Sequence, residues 1–301
     1  MLAQTYKDFE LIVVDDGSTD GTKGVVLACG SRIKYIYQDN RGPSAARNTG
    51  ILAAKGEYVT FLDADDAWLP GKLELEVQFL DAHPSIGMVY SDYTYFGTRP
   101  APRKSGFEGV SLPSGHILKE LFLSNPISSS AVLVRKACFE KVGLFDESLV
   151  SCEDLDMWLR IARYFEIDYI DVPLARYRFH ERNTHLDSEG QLLGGFAVRR
   201  KCLRSNKLLL NEVDAGKMYK RYYSWFYQVG VRHLSGGVPK RAREMFRQCI
   251  GLYPHDPAAY IMWLMTFLPS RLGSGMLTYW QRMIAYLATK KQSFSRMLFP
   301  S

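Results

Sequence analysis

The sequence predicts an α/β fold, a mostly parallel sheet flanked by helices, with a helical region at its carboxyl end. Two observations carry this expectation. Strand-like and helix-like patterns alternate from residue 1 to about residue 97, as successive βαβ units require. In addition, two short apolar runs end in carboxylates. Leu11-Ile12-Val13-Val14 leads into Asp15-Asp16-Gly17-Ser18, and Tyr58-Val59-Thr60-Phe61-Leu62 leads into Asp63-Ala64-Asp65-Asp66. Such runs read as buried parallel strands delivering acids to the carboxyl edge of a sheet, where open α/β sheets bind ligands.

Taken in order, β-branched and aromatic content predicts strands at Leu11–Val14, Ile33–Tyr37, Tyr58–Leu62 and Ile86–Tyr90. Helices are predicted at Thr22–Cys29, Ser44–Lys55 and Pro70–His83, with Pro43-Ser44 and Pro70 as favourable first-turn residues. Residues 98–115 contain Arg99-Pro100-Ala101-Pro102-Arg103-Lys104 and read as a loop. A helix near His116–Leu123, a strand near Ser130–Arg135, a helix at Glu153–Tyr164 and a strand at Ile167–Val172 follow. Past residue 190 strand patterns stop, and helical ones continue with breaks at Gly236-Gly237 and Pro254. This predicts an α/β domain over 1–190 and a basic helical region over 191–301. Residues 222–262 loosely resemble one tetratricopeptide-type helix pair, and equally a plain helical hairpin.

With 301 residues, 47% hydrophobic and 23% charged, the composition is that of a folded soluble protein with a full core. The five cysteines form no CxxC pair, which argues against a zinc site or disulfide framework and for reduced thiols in the cytoplasm. No apolar stretch reaches the roughly 18–20 residues that span a bilayer. The net charge of +6 conceals a split. Residues 1–190 carry 20 Lys/Arg against 28 Asp/Glu, and residues 191–301 carry 18 against 4. The acidic front suits a cation site, and the basic tail suits an anionic partner. Nucleic acid is disfavoured, because the basic residues are interspersed in helical patterns without a binding motif.

Each acidic motif has a local reading beside a functional one. Asp15-Asp16-Gly17-Ser18-Thr19-Asp20-Gly21 makes a tight turn and helix cap, or else a carboxylate site for a base N–H or ribose hydroxyl. In an extended chain, Asp63 and Asp65 point the same way, so that Mn²⁺ or Mg²⁺ held there reaches a substrate phosphate; a solvated capping cluster is the alternative. Arg47, in Asn40-Arg41-Gly42-Pro43-Ser44-Ala45-Ala46-Arg47, is placed to reach a phosphate or is a surface arginine. Glu153 and Asp154 open a helix, where its dipole favours acids, or serve as a general base with Trp158 as an apolar wall. His180, after Arg176-Tyr177-Arg178-Phe179, is a structural histidine or a ligand to metal or phosphate.

In this order and spacing, residues 4–185 resemble the inverting family 2 glycosyltransferases of the GT-A fold. The residues carrying the resemblance are Gln4-Thr5-Tyr6-Lys7-Asp8-Phe9-Glu10 into Asp15-Asp16-Gly17-Ser18, the Arg41–Gly50 segment, Asp63-Ala64-Asp65-Asp66, Glu153-Asp154 and Tyr177-Arg178-Phe179-His180. The resemblance implies a nucleotide-diphosphate-sugar donor and a glycan or lipid-linked acceptor in cell-surface polysaccharide or glycolipid synthesis. It implies nucleotide-sugar contacts by Asp15, Asp16, Arg47, Asp63 and Trp158, and a metal held by Asp65, Asp63 and His180. Asp154 is the implied base, with Glu153 beside it. It also implies a further strand and helix upstream, with Met1-Leu2-Ala3-Gln4 at the end of that helix: either the start is misassigned, the sequence is a fragment, or the protein lacks part of its sheet.

Two rivals remain at this level. A haloacid-dehalogenase-type phosphotransferase also places Asp-x-Asp after a strand, though near its amino end and with later lysine and acidic residues. A glycosyltransferase-like binding protein without activity is the other, engaging a partner through its tail. Within that tail, Ala258–Leu268 with Arg271, Arg282, Lys290 and Lys291 reads as a buried core helix or as a peripheral contact on the inner face of the cell membrane.

Overall fold

A computed structural model describes residues 1–181, 183, 188–206 and 209–268. The chain divides after Val213 into two compact units. In the first, β1 (Leu11–Asp16) pairs in parallel with β2 (Ile33–Gln38), from Leu11 opposite Ile33 to Asp16 opposite Gln38. Helix α1 (Thr22–Ala28) joins them, and α2 (Pro43–Ala53) follows with Pro43 in its first turn.

A second, five-stranded sheet is mixed. It contains β3 (Tyr58–Val59), β4 (Ala67–Trp68), β5 (Ile86–Gly97), β6 (Val132–Arg135) and β7 (Glu166–Phe179), in the order β3-β6-β5-β7-β4. β5 and β7 run parallel, and the other three pairings are antiparallel. β5 lies in the middle and is buried from Ile86 to Asp92. A side chain at Gly87 would put its Cβ 2.6 Å from Phe165 and 2.8 Å from Cys138, so this strand tolerates only glycine there.

Between β4 and β5 lies α3 (Lys72–Ala82). Its Leu80 and Val77 join Ile86, Val89 and Leu133 in the core. Lys72 and Glu76 are both fully buried on this helix and meet at 2.5 Å. Lys72 also donates to the Val132 carbonyl and lies 4.4 Å over the Trp68 ring, while Ser91 donates to Glu76. Burial pushes both groups toward their neutral forms, and their hydrogen bonds to one another oppose it.

Helices α4 (Leu118–Leu123), α5 (Lys136–Val142), α6 (Glu153–Ala162), α7 (Ser188–Ser205) and α8 (Leu209–Glu212) complete the unit. The first unit thus includes helices beyond residue 190, where the end of the strand patterns suggested a boundary. Three differences from the sequence expectations have physical causes. The third strand stops at Val59 instead of Leu62, because Asp63–Asp66 closes a turn in which Asp66 N–H donates to the Asp63 carbonyl. β5 and β7 run on to Gly97 and Phe179, held by an interleaved ladder of Tyr93, Tyr95, Tyr177 and Phe179 rings. Helix α5 was not expected; it starts directly after the last residue of β6.

The second unit is helical: α9 (Ala215–Ser235), α10 (Pro239–Leu252) and α11 (Pro257–Met265). Asp214 and Asp256 cap α9 and α11 by accepting the N–H groups of Lys217 and Ala258. α9 and α10 form a hairpin in which Gly230 leaves room for the Phe246 ring. From α11, Met262 and Met265 pack with Ala242 and Phe246, while Tyr260 and Leu264 are exposed. No described helix is long and apolar enough to cross a membrane. Arg271, Arg282, Lys290 and Lys291 lie outside the described residues.

Candidate active site

The carboxyl end of β1 is built from turn chemistry. Asp15 is 4% exposed and accepts from Ser18 N–H at 2.8 Å and the Tyr35 hydroxyl at 2.5 Å. The Tyr35 hydrogen bond, then those from Ser18, hold its carboxyl below the ordinary range, and the bond to Asp15, with burial second, pushes the Tyr35 phenol up to about 12. Gly17 sits at φ +84°, where a Cβ would meet the Asn40 nitrogen at 2.8 Å. Asp16 accepts from the Gln38 amide at 2.7 Å, from Arg41 N–H at 2.9 Å and from Gly42 N–H at 2.8 Å. Burial opposes its ionisation, but these three donors outweigh it and its carboxyl lies below the usual range. Asp15 therefore holds the turn, whereas Asp16 is half-buried and fixes the loop that opens α2.

Arg47, on α2, ties two distant acids together. It donates to Asp63 at 2.8 Å and to Glu153 at 2.7 Å, with its guanidinium 5.6 Å from the Phe145 ring centre. The side chain is 13% exposed; burial works against its charge, but the two carboxylates more than restore it. Asn48 beside it bonds both backbone groups of Phe145 and the Glu147 carboxylate, fixing the segment that leads to α6.

The second acidic run does not present its alternate residues together, as an extended chain would. In the turn, Asp63 faces Arg47, while Asp65 meets His180 Nε2 at 3.0 Å. Asp66 accepts from Ser130 Oγ at 2.6 Å and from Arg178 N–H at 2.8 Å. Burial, reinforced by Asp63 and Asp65 and opposed by those two hydrogen bonds, raises its carboxyl to about 6. Ser130 also receives Asp63 N–H at 3.2 Å, so one hydroxyl bridges both ends of the turn.

At the start of α6, Cys152 adopts φ 59°, the single left-handed non-glycine conformation among the described residues. Such strain is of order 1–3 kcal/mol and clusters at functional sites. Helix α6 opens directly after Cys152 with Glu153, which meets Arg47, and Asp154. Asp154 is raised to about 6, first by desolvation and then by Glu153; the Leu155 N–H and Arg47 pull the other way. Taken as a whole residue, Asp154 is half-buried. Trp158 is fully buried, edge-on to Phe145, so it supports the site from the core and forms no wall of a donor pocket.

The structure thus gathers Arg47, Asp63, Glu153 and Asp154 in one place, with Asp65 and His180 along the same turn. Sequence reasoning missed Asn48, Ser130, Asp66 and Arg178 as supports. Asp66 stood in the acidic run, Asn48 in the Arg41–Gly50 segment and Arg178 beside His180, whereas Ser130 carries no local signal. Among the described residues no group of three ligating side chains is arranged around a common point. The Asp65–His180 pair nonetheless has the chemistry of a partial ligand set for Mn²⁺ or Mg²⁺, which take one or two protein ligands together with substrate phosphates. Asp63 is neutralised by Arg47 and stands apart from that pair.

Comparison with known proteins agrees with this architecture. Residues 1–142 match Glycosyl transferase family 2. An uncharacterized glycosyltransferase of Nostoc sp. is 43% identical over 204 residues, 62% of this chain and 61% of that protein. One of Rickettsia typhi is 34% identical over 198 residues, covering 64% and 61% respectively. The chain spans only 32% to 61% of the first curated relatives it matches. Among solved structures, S. aureus TarS 1-349 in complex with UDP-GlcNAc superposes with a TM-score of 0.54 at 19% identity, over 93% of this chain and 85% of that one. The mannosyltransferase PcManGT from Pyrobaculum calidifontis, in complex with GDP-Man and Mn²⁺, gives 0.52 at 20% identity, over 92% and 78%. At these identities the likeness establishes the fold, GT-A.

Proposed function

Residues 1–142 belong to glycosyl transferase family 2, and from that membership we propose that the protein moves a sugar from a nucleotide-diphosphate-sugar to an acceptor hydroxyl with inversion. The observation that carries this reading is the Arg47 bridge, which brings Asp63 and the Glu153-Asp154 pair into one cleft. In-line displacement at an anomeric carbon needs a base on one side and a stabilised leaving group on the other.

Asp154 is the base. Its raised carboxyl is ionised above pH 6, and its proton affinity exceeds that of an ordinary aspartate. It takes the acceptor hydroxyl proton as the acceptor oxygen bonds to the anomeric carbon. The bond to the diphosphate oxygen breaks, the nucleoside diphosphate leaves with the electron pair, and the configuration inverts. Glu153 keeps Arg47 in place and raises Asp154. Asp16, at the end of β1, contacts the nucleoside, and Asp15 holds the turn that positions it. Asp65 with His180 would hold Mn²⁺ or Mg²⁺, with Asp63 engaged by Arg47 instead; a bound divalent cation supplies charge stabilisation to the departing diphosphate. The acceptor is a glycan or lipid-linked hydroxyl on the cytoplasmic face of the membrane, in synthesis of cell-surface carbohydrate.

Calorimetry with UDP- and GDP-sugars, with and without Mn²⁺, tests the reading, followed by NMR assignment of the product anomer. Binding that strengthens with Mn²⁺, and an inverted product, are expected. Phosphate release from a phosphatase panel without sugar-nucleotide binding would overturn it.

A further inference from the structure

The far end of the β5–β7 pair has two unlike faces, set by the period-two alternation of the chain. Tyr93 and Tyr95 share one face with Tyr177 and Phe179, ring against ring. On the other face, the parallel register sets Phe96 opposite Arg178 and Thr94 opposite Arg176. Both guanidiniums lie over the same Phe96 ring, at 4.7 Å for Arg176 and 4.3 Å for Arg178. Both arginines are exposed, and among the described residues neither has a carboxylate partner within ion-pair distance. Arg178 Nε donates to the Asp65 carbonyl at 2.7 Å, so this face begins at the acidic turn of the candidate active site.

Two like charges sharing one ring beside a site are not the default of this part of the chain. Residues 1–190 carry eight more acids than bases. The neighbouring cleft adds Asp63, Asp65, Glu153 and Asp154, whose field repels an anionic substrate. A guanidinium stacked on a ring is held flat, and donors it does not spend within the protein can grip phosphate or carboxylate oxygens in pairs.

We propose that Arg176 and Arg178, stacked on Phe96, form an anion-binding track for the acceptor, and that the acceptor is a chain bearing phosphate or carboxylate groups. This rests on the transferase reading and names its substrate class. The arginines lead the charged chain past the acidic cleft and leave its terminal hydroxyl at Asp154.

The test is calorimetry on the full chain with four probes: a short inorganic polyphosphate, an oligogalacturonate, an uncharged dextran oligomer and phosphatidylglycerol vesicles. Either soluble anionic oligomer is expected to bind where dextran does not, and the one preferred tells phosphate from carboxylate. In the double variant R176Q/R178Q that binding is expected to fall by about tenfold or more, and in Arg176→Gln alone affinity for UDP with Mn²⁺ is expected to change by less than about threefold. The single variant Arg176→Gln, which removes no hydrogen bond among the described residues, is expected to show the same direction with an unchanged melting temperature. Three results would overturn the proposal: dextran binding as well as the anions, binding only to vesicles, or UDP affinity falling in step with anion affinity. The last would assign the arginines to the donor diphosphate. Failure of unaltered protein to bind any nucleotide-sugar counts against the transferase reading instead, and leaves the anion measurement to judge this one.

Discussion

The substitution Glu153→Gln tests how the base is tuned. Asp154 rises from 3.8 to about 6, with burial as the largest cause and Glu153 second. That rise is worth about 3 kcal/mol at 1.36 kcal/mol per unit, and if Glu153 supplies just under half, removing its charge lowers Asp154 by ~1 unit. The sign is unambiguous. Asp154 acts as a base only when ionised, so activity is lost as pH falls through about 6, and the variant must lose it at lower pH. At pH 5 the ionised fraction grows from ~0.1 to ~0.5, so kcat/KM relative to each protein's own plateau rises about fivefold in the variant. The assay is the pH profile of kcat/KM, which reports the free enzyme. A limb that stays in place, or moves to higher pH, would refute the assignment of Asp154 as base or of Glu153 as its neighbouring charge.

Asp154→Asn is expected to lower transfer by about 10²–10⁴-fold while nucleotide-sugar affinity persists. Because the folded carboxyl binds its proton more tightly than the unfolded one, ionised Asp154 weakens the fold above pH 6; the same variant should gain up to ~3 kcal/mol at pH 7 by urea denaturation, a gain absent at pH 4. Lys72→Met strands the fully buried Glu76 and is expected to cost about 3–5 kcal/mol, most of it recovered in the double variant with Glu76→Leu; equal stability of single and double variants would refute this. Gly230→Val drives a Cβ to 2.8 Å from the Phe246 ring and should destabilise α9–α10 by about 1–3 kcal/mol, read as faster hydrogen exchange in those helices.

The acidic turns were legible in the chain itself, though their partners were not. Asp15-Asp16-Gly17-Ser18 announces a turn because Asp and Ser bond their own backbone and Gly17 takes φ +84°. Glu153 announces a helix start, and the helix does begin there. The short β3 shows the limit of that reading: an apolar run through Leu62 looks like one strand, yet a hydrogen bond within Asp63–Asp66 closes the turn first. Trp158 shows another, since its helical position fits a cleft wall as well as a core, and only packing against Phe145 settles it as core.

Order and local chemistry therefore came from the sequence: alternating strands and helices, carboxylates at the end of β1 and in the turn after β3, an acid pair opening a helix, and through them the resemblance to family 2. These follow from periods of two and 3.6 residues and from turn preferences, which act over a few positions. Folding in three dimensions settled the pairings. Arg47 reaches Asp63 sixteen residues away and Glu153 at 106, and Asp65 meets His180 at 115. Contacts at such separations depend on strand order and register, which no local pattern encodes. The same is true of the arginines on Phe96, which share a ring because β5 and β7 align at that register.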